Sequence, residues 1–354
     1  MKVLFYSPYV PKHFGGGEKH FFDVATTVAQ KHDVFIALPD ETANFSREKY
    51  EKFLNYSLEK LQFIPSKITS GSLFEKLQET RKFDYVYAVT DGSFFYSAAK
   101  QNNLHIQIPF TNPLNLWEKY KLRSWNIKNT NSEFTKKVVE KAWQTKITQV
   151  HYPLDNLNEI TPVTTKEKVI LHVGRFFKQL HSKRQDVLVS FFYLFLDQNP
   201  KLLKGWKLVL VGSIEDSEYF EEVKKQALGY PIELISNISR EKLIALYQEA
   251  ALYWHATGFE VDEEQFPQKV EHFGITTIEA MAAGCVPVVI NKGGQKEILE
   301  SIPELLWNSQ TECLVITQQL IADKSEYAKM QQRSLVAVQQ FSKEIFQKAV
   351  WKMF

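Results

Sequence analysis

Between residues 169 and 290, short and nearly continuous apolar runs alternate with stretches of helical spacing, and this alternation fixes the class of fold. The runs at 169–173, 207–211, 232–235, 251–255 and 286–290 read as strands covered on both faces. The stretches near 183–197, 215–228, 239–249, 274–283 and 294–301 read as helices. A chain that repeats strand and helix in this way builds a parallel sheet with crossover helices. The first part of the chain shows the same pattern less cleanly. Residues 2–7 read as a strand, followed by Gly15-Gly16-Gly17, a helix over 18–29 and a strand over 33–38. Further strands are expected at 85–89 and 105–108 with a helix between them, then at 126–129 and 146–151. A helix is expected over 131–143 with Ser132 as its N-cap. Residues 42–71 show no legible period, and the chain closes with helical stretches at 324–337 and 341–353.

At 354 residues the chain accommodates two domains of ~100–200 residues each. Residues 153–168 are polar, with two prolines and no periodicity, and read as the linker. We therefore expect an α/β protein of two doubly wound Rossmann-like domains, 1–152 and 169–340, facing a central cleft. Ligands in such folds bind at the carboxyl ends of the strands.

Charge narrows the function. Lys and Arg number 43 against 41 Asp and Glu, a formal net charge of +2, so no broad basic field is available for nucleic acid. Any anion site has to be local. Cys285 and Cys313 are too few for a disulfide framework or a zinc cage and fit a reducing cytoplasm. The apolar start of the chain is broken by Ser7, Pro8 and Pro11, too early for a signal-peptide core. The densest apolar run, 191–196, falls far short of the ~18–20 residues that span a bilayer. The expected location is the cytoplasm, free or peripheral to a membrane.

The segment 271–298, EHFGITTIEAMAAGCVPVVINKGGQKEI, carries the most chemistry. Gly274 permits close backbone approach where a helix begins. That helix N-terminus, Gly274-Ile275-Thr276, offers free N–H groups and a positive dipole end to a phosphate. Glu271 precedes the helix and Glu279 lies in its second turn, so both carboxylates flank the same place. Carboxylates accept hydrogen bonds from vicinal hydroxyls such as those of ribose and hexose. Upstream, Gly174-Arg175 ends a strand, and Arg175, Lys178, Lys183 and Arg184 crowd ten residues of a near-neutral chain. Cations placed there stabilise the growing charge of a departing diphosphate.

Taken together, Glu271 and Glu279 with FG…EAMAAG…PVV…GG…EI around them resemble the E-x7-E signature of retaining GT-B glycosyltransferases of family 4, the glycosyl transferases group 1. The resemblance covers nearly the whole chain and is strongest over 169–300. It implies a GT-B fold whose C-terminal helices cross back to the first domain, with 341–354 packing there. It implies a hexosyltransferase of the EC 2.4 class that uses a nucleotide-diphosphate sugar, of the GDP-mannose or UDP-sugar class, with no metal and no cofactor. The acceptor is a hydroxyl of a saccharide or lipid-linked saccharide in glycan or polysaccharide synthesis. By the same resemblance Arg175 and Lys183 hold the diphosphate, Glu271 the sugar and Glu279 the ribose diol. The residues 235–239 stand where relatives position the base, which points to Ile235 and Ser239. Arg184 stands where relatives usually have Gly and the loop over 176–182 is long, so either Lys183 or Arg184 is nearer the phosphates.

On the first domain, Gly16 and Gly17 stand where relatives have a glycine pair facing donor and acceptor. Asp91, at the end of the 85–89 strand, is either a site residue or the N-cap of the following helix. His105 or Gln107 stands where relatives have a polar residue facing the transferred sugar, and alternation does not choose between them. His255 ends a strand of the second domain and is followed by an acidic stretch to Glu264, which reads as solvated surface. Residues 117–123, WEKYKLR, read either as contact with anionic lipid or as an ordinary exposed helix. Another nucleotide-sugar enzyme, such as an epimerase, or a non-catalytic nucleotide-sugar-binding protein would make many of the same demands on these residues.

Overall fold

The computed structural model describes residues 1–11, 15–39, 46–153, 157–179 and 181–354. Part of the expected linker, residues 154–156, lies outside them. The chain divides into two compact units, Met1–Leu154 with Glu344–Phe354, and Asp155–Lys343.

Unit 1 runs β1 (Lys2–Tyr6), α1 (Gly16–Val28), β2 (Asp33–Pro39), α2 (Arg47–Leu54), β3 (Leu61–Ser66), α3 (Leu73–Thr80), β4 (Tyr85–Thr90), β5 (Gln101–Ile106), α4 (Leu116–Leu122), β6 (Ile127–Thr130), α5 (Glu133–Trp143) and β7 (Gln149–Val150). Its strands form one parallel sheet in the order β3-β2-β1-β4-β5-β6-β7. The order reverses between β1 and β4, the switch point at which doubly wound sheets open toward ligands. Ser132 caps α5, accepting from the Thr135 N–H at 3.0 Å. Two expectations are corrected here. No helix joins β4 to β5. Instead the Asp91 carboxylate accepts from the Ser93 N–H at 3.0 Å and its hydroxyl at 2.7 Å, while the Thr90 hydroxyl donates to the Ser93 carbonyl. These local side-chain bonds satisfy the backbone in a turn and compete with a helix. The buried rings of Phe94 and Phe95 then hold the connection against the core. The last strand is also shorter than expected, with only Gln149 and Val150 paired to β6.

Unit 2 runs β8 (Glu167–Val173), α6 (Gln185–Gln198), β9 (Lys207–Gly212), α7 (Ser217–Ala227), β10 (Ile232–Ser236), α8 (Arg240–Glu249), β11 (Ala250–His255), α9 (Ile275–Ala282), β12 (Val286–Ile290), α10 (Gln295–Ile298), β13 (Leu306–Trp307), α11 (Gln310–Ala322) and α12 (Lys324–Ala337). The parallel order is β10-β9-β8-β11-β12-β13. Every residue of β11 and β12 is buried, which explains the unbroken apolar runs of the sequence. The switch point falls between β8 and β11, whose ends carry Gly174-Arg175 and His255.

The last helix, α13 (Lys343–Trp351), leaves α12 behind in unit 2, so the return to unit 1 is made by this helix alone. Phe346, Val350 and Met353 enter the same core as Phe5, Phe21 and Tyr87. The Tyr85 hydroxyl donates to the Met353 carbonyl at 2.8 Å, and Phe354 stacks on Tyr85 with centroids 4.3 Å apart. Among the described residues no helix is long and apolar enough to cross a membrane.

Candidate active site

The site of unit 2 is built on the ends of β8 and β11 and on the start of α9. Gly274 sits at the N-cap of α9 with φ +127°, a conformation that favours glycine, and a Cβ there would meet the Gln295 amide nitrogen at 2.6 Å. Glycine therefore lets the chain turn into the helix against Gln295. The preceding loop is tied down by the Gly294 N–H, which donates to the Glu271 carbonyl at 2.8 Å. The acidic stretch after β11 is not simply solvated surface, which corrects that expectation. Glu263 accepts from the Gly293 N–H at 2.8 Å and pairs with Lys296. Lys292 donates to the Gly258 carbonyl at 3.0 Å and to that of Val261. This connection buttresses the Gly293-Gly294 turn, which in turn supports Glu271.

The Glu271 carboxylate is the centre of the array. Its Oε2 accepts from the Lys183 ammonium and from His255 Nε2, the latter at 3.1 Å. Burial would raise the Glu271 carboxyl, but the Lys183 charge and the His255 bond outweigh it and hold the group well below the usual carboxylate range. His255 is fully buried, and burial pushes its pKa down against the pull of Glu271. Behind it lies His172 on β8, whose Nδ1 meets the Trp254 carbonyl at 2.9 Å and whose pKa burial lowers to about 3. Tyr253 bonds the Thr276 hydroxyl at 2.7 Å, fixing the first turn of α9 to β11.

The basic loop divides its labour. Lys183 reaches Glu271, whereas Arg184 turns to Asp186 and to the Phe259 carbonyl at 3.0 Å. A Cβ on Gly174 would meet Lys183 Cγ at 2.6 Å, so the lysine stem lies directly over the end of β8. Arg175 pairs with Glu215 at 3.1 Å, both side chains more than a third exposed. The loop also docks through His181, whose ring stands edge-on to His272 at 4.5 Å.

Glu279 is almost wholly buried and both its oxygens are engaged, Oε1 by Arg240 and Oε2 by the Tyr247 hydroxyl at 2.8 Å. Sequence reasoning missed Arg240 and Tyr247. The only available signal was a cation in the first turn of the helix after Ser239. Arg240 also approaches Glu159 at 3.7 Å. Lys166, likewise missed, donates to the carbonyls of Tyr247, Gln248 and Ala283 at 3.1, 2.8 and 2.7 Å. One ammonium thus closes the C-terminal ends of both α8 and α9, where the helix dipoles favour a cation. Ser239 serves as the N-cap of α8, and Ile235 lies half-buried on β10.

In unit 1 the candidates part company. Gln107 Nε2 donates to the Gly17 carbonyl at 3.3 Å, and a Cβ on Gly17 would meet its amide oxygen at 2.3 Å. Gly16 opens α1 and is exposed. Asp91 is exposed in its own turn. His105 is fully buried, bonded to Asn129 and stacked on His20 at 4.5 Å. His105 is thus a core residue of β5, whereas Gln107 lies just past the end of that strand, by the glycine loop.

Comparison with known proteins bears on the family and the fold. Residues 155–302 match the family described as glycosyl transferases group 1. A GDP-Man:Man(3)GlcNAc(2)-PP-Dol alpha-1,2-mannosyltransferase of Kluyveromyces lactis is 27% identical over 176 residues, 46% of this chain and 29% of that protein. An uncharacterized glycosyltransferase of Methanocaldococcus jannaschii is 29% identical over 169 residues, 47% of this chain and 36% of that protein. The chain thus spans about a third of the length of these curated relatives. Among solved structures, Anabaena HepE with UDP and glucose superposes with a TM-score of 0.70 at 18% identity, over 100% of this chain and 99% of that one. TarM gives 0.76 at 11% identity, over 99% and 98%. Residues 155–302 therefore carry the group 1 glycosyltransferase signature, within a chain whose two Rossmann-like units have the GT-B fold.

Proposed function

We propose that this chain is a retaining hexosyltransferase that uses a nucleotide-diphosphate sugar of the GDP-mannose or UDP-sugar class and needs no metal ion. The observation that carries the reading is the Lys183–Glu271–His255 array at the switch point of unit 2, beside the N-terminus of α9. Lys183 and the N–H groups of Gly274, Ile275 and Thr276 bind the diphosphate. Arg175 joins them, since its present partner is an exposed ion pair worth at most ~1 kcal/mol. Ile235 and Ser239 face the base. The ribose diol meets Glu279 where half-exposed Arg240 now stands, because the Tyr247 side is closed.

Glu271 holds hydroxyls of the sugar. The anomeric C–O bond to the diphosphate breaks as the bond to the acceptor oxygen forms. The acceptor proton passes to a leaving phosphate oxygen, so no protein nucleophile is assigned. Unit 1 supplies the acceptor side, through Gly16, Gly17, Gln107 and Asp91. The acceptor is a saccharide or lipid-linked saccharide.

Contact with an anionic membrane surface fits α4. Leu116, Trp117 and Tyr120 are exposed there beside Lys119 and Lys121, while Glu118 is turned back to cap its own helix through Asn115. Cosedimentation with phosphatidylcholine vesicles, with and without phosphatidylglycerol, tests this contact. Binding only to the anionic vesicles, lost in Trp117→Ala, is expected.

The central test is a thermal-shift panel of GDP, UDP and dTDP and their sugars, wild type beside Arg175→Ala and Glu279→Ala. A shift with one nucleotide family, lost in both variants, supports the donor site. No shift with any of them, for a folded protein, overturns the reading. The anomeric configuration of the product, read by NMR, then decides retention.

A further inference from the structure

We infer that His255 is a positioning residue: its Nε2–H commits one oxygen of Glu271 to the protein and leaves the other as the single acceptor presented to a sugar hydroxyl. The inference rests on the donor-site reading above and concerns how that site is held.

The geometry is asymmetric. Lys183 and His255 both donate to Glu271 Oε2, and within the protein no hydrogen bond reaches Oε1 among the described residues. A carboxylate with two donors on one oxygen is fixed in rotation. It then offers its remaining oxygen to one hydroxyl rather than both oxygens to a pair. This sharpens the expectation from the sequence, in which the carboxylate was open to a vicinal diol.

His255 is suited to the task. Its ring is fully buried at the end of β11, in register with Val289 of β12. A neutral imidazole carries one N–H, and a carboxylate 3.1 Å from Nε2 selects the Nε2–H tautomer. Thr257 Oγ1 lies 3.3 Å from the same nitrogen, and among the described residues Nδ1 has no hydrogen-bond partner. The titratable groups facing Glu271 come from four places. They are Lys183 and His181 on the loop after β8, His172 on β8, Tyr253 and His255 on β11, and adjacent His272. Burial keeps His172, His181, His255 and His272 below their ordinary pKa. The array thus pairs one carboxylate with the Lys183 side chain and with an imidazole that burial pushes toward its neutral form.

The test combines a donor-independent and a donor-dependent readout. In the full chain with 15N-labelled histidine, the His255 ring is expected in the Nε2–H form at pH 7, assigned by its loss in His255→Gln. Glu271→Gln is expected to shift that resonance. With GDP-mannose and UDP-glucose as probes, His255→Leu should lower kcat/KM about 10- to 100-fold by loosening Glu271. It should also move the acid limb of the profile up by about one pH unit, because a lost charge-assisted bond raises the carboxyl. His255→Gln places an amide N–H near the same point and should recover activity to within about fivefold. An Nδ1–H ring, or equal losses in both variants with the acid limb unmoved, overturns the inference. Wild type inert to every nucleotide sugar would instead sink the donor-site reading, with the tautomer still deciding this one. If His255→Leu does not fold, the tautomer and its response to Glu271→Gln decide.

Discussion

Both units bury a cluster of histidines, and the two clusters meet different partners. In unit 1, His20, His105 and His151 pack with ring centroids 4.5 and 5.0 Å from His20. No carboxylate bonds to any of the three rings among the described residues. His105 meets Asn129, and the chain of bonds runs through Asn103 to Tyr85 and the Met353 carbonyl at the end of the molecule. In unit 2, His255 meets a carboxylate that is itself paired with a lysine. A buried imidazole with amide partners is part of the core. The same group in unit 2 lies beside a paired carboxylate, in the array proposed above to hold the donor. Residue type and burial are alike in the two clusters, and the charge of the partner is what tells them apart.

The comparison can be broken in several ways. The largest effect is expected in unit 1. Phe346→Ala removes a buried ring that packs on His20 and His151, and should cost about 3–5 kcal/mol. Urea unfolding followed by hydrogen exchange in β5 and α13 should show the loss there, with β11 and α9 unchanged. Equal loss in both units would show that the two cores do not respond separately.

Next comes Glu271→Gln in unit 2. It removes the charge that Lys183 neutralises, and kcat/KM should fall about 10²- to 10³-fold, as for loss of one preorganised electrostatic contact. The melting temperature should move little, since a neutral amide still accepts from His255. A variant with full turnover would remove Glu271 from the machinery.

A third test uses pH. Burial pushes His105 down to about 4 and His151 to about 3, with His20 well below its ordinary value. The unfolded chain protonates its histidines near pH 6.5. Between about pH 6.5 and 4 the unfolded state therefore binds more protons, and unit 1 loses stability as the pH falls through that window. His105 alone accounts for on the order of 3 kcal/mol. Denaturant midpoints across this range, wild type against His105→Gln, should show a shallower slope in the variant. An unchanged slope would mean that these rings are not held neutral.

The smallest effect is expected at the glycine loop. In Gly17→Ala the new methyl meets only the far end of the Gln107 side chain, which can rotate away. Stability should change by less than about 1 kcal/mol. The 3.3 Å bond to the Gly17 carbonyl is the contact to watch. If unit 1 takes the acceptor, this variant should raise the acceptor KM and leave donor binding intact, measured by varying each substrate in turn.

Much of the architecture was legible because strand and helix periodicity is local. The strands of unit 2 and the turn into α9 are set by neighbouring residues. The Ser132 cap and the helix over 18–29 follow from the same rule, the latter beginning two residues earlier at Gly16. The illegible part, 42–71, holds α2 and β3. Helix α2 is short and strongly charged, and β3 is an edge strand containing Pro65, so neither carries a clean apolar period. The absent helix after β4 was decided by the side-chain bonds of one turn and by two rings drawn into the core.

The sequence by itself determined the parallel α/β class, the glutamate pair, the basic loop and the near-neutral charge that makes any anion site local. Only the tertiary structure decided that Lys183 rather than Arg184 reaches Glu271, that Arg240 and Tyr247 occupy Glu279, and that His105 meets Asn129 while His255 meets Glu271. It also decided that α12 stays in unit 2, so that of the expected C-terminal helices only the last joins unit 1. The physical reason is range. Periodicity and turn chemistry act within a few residues, but each of these pairings joins residues well beyond that reach, and their partners are chosen by the order of strands in a sheet.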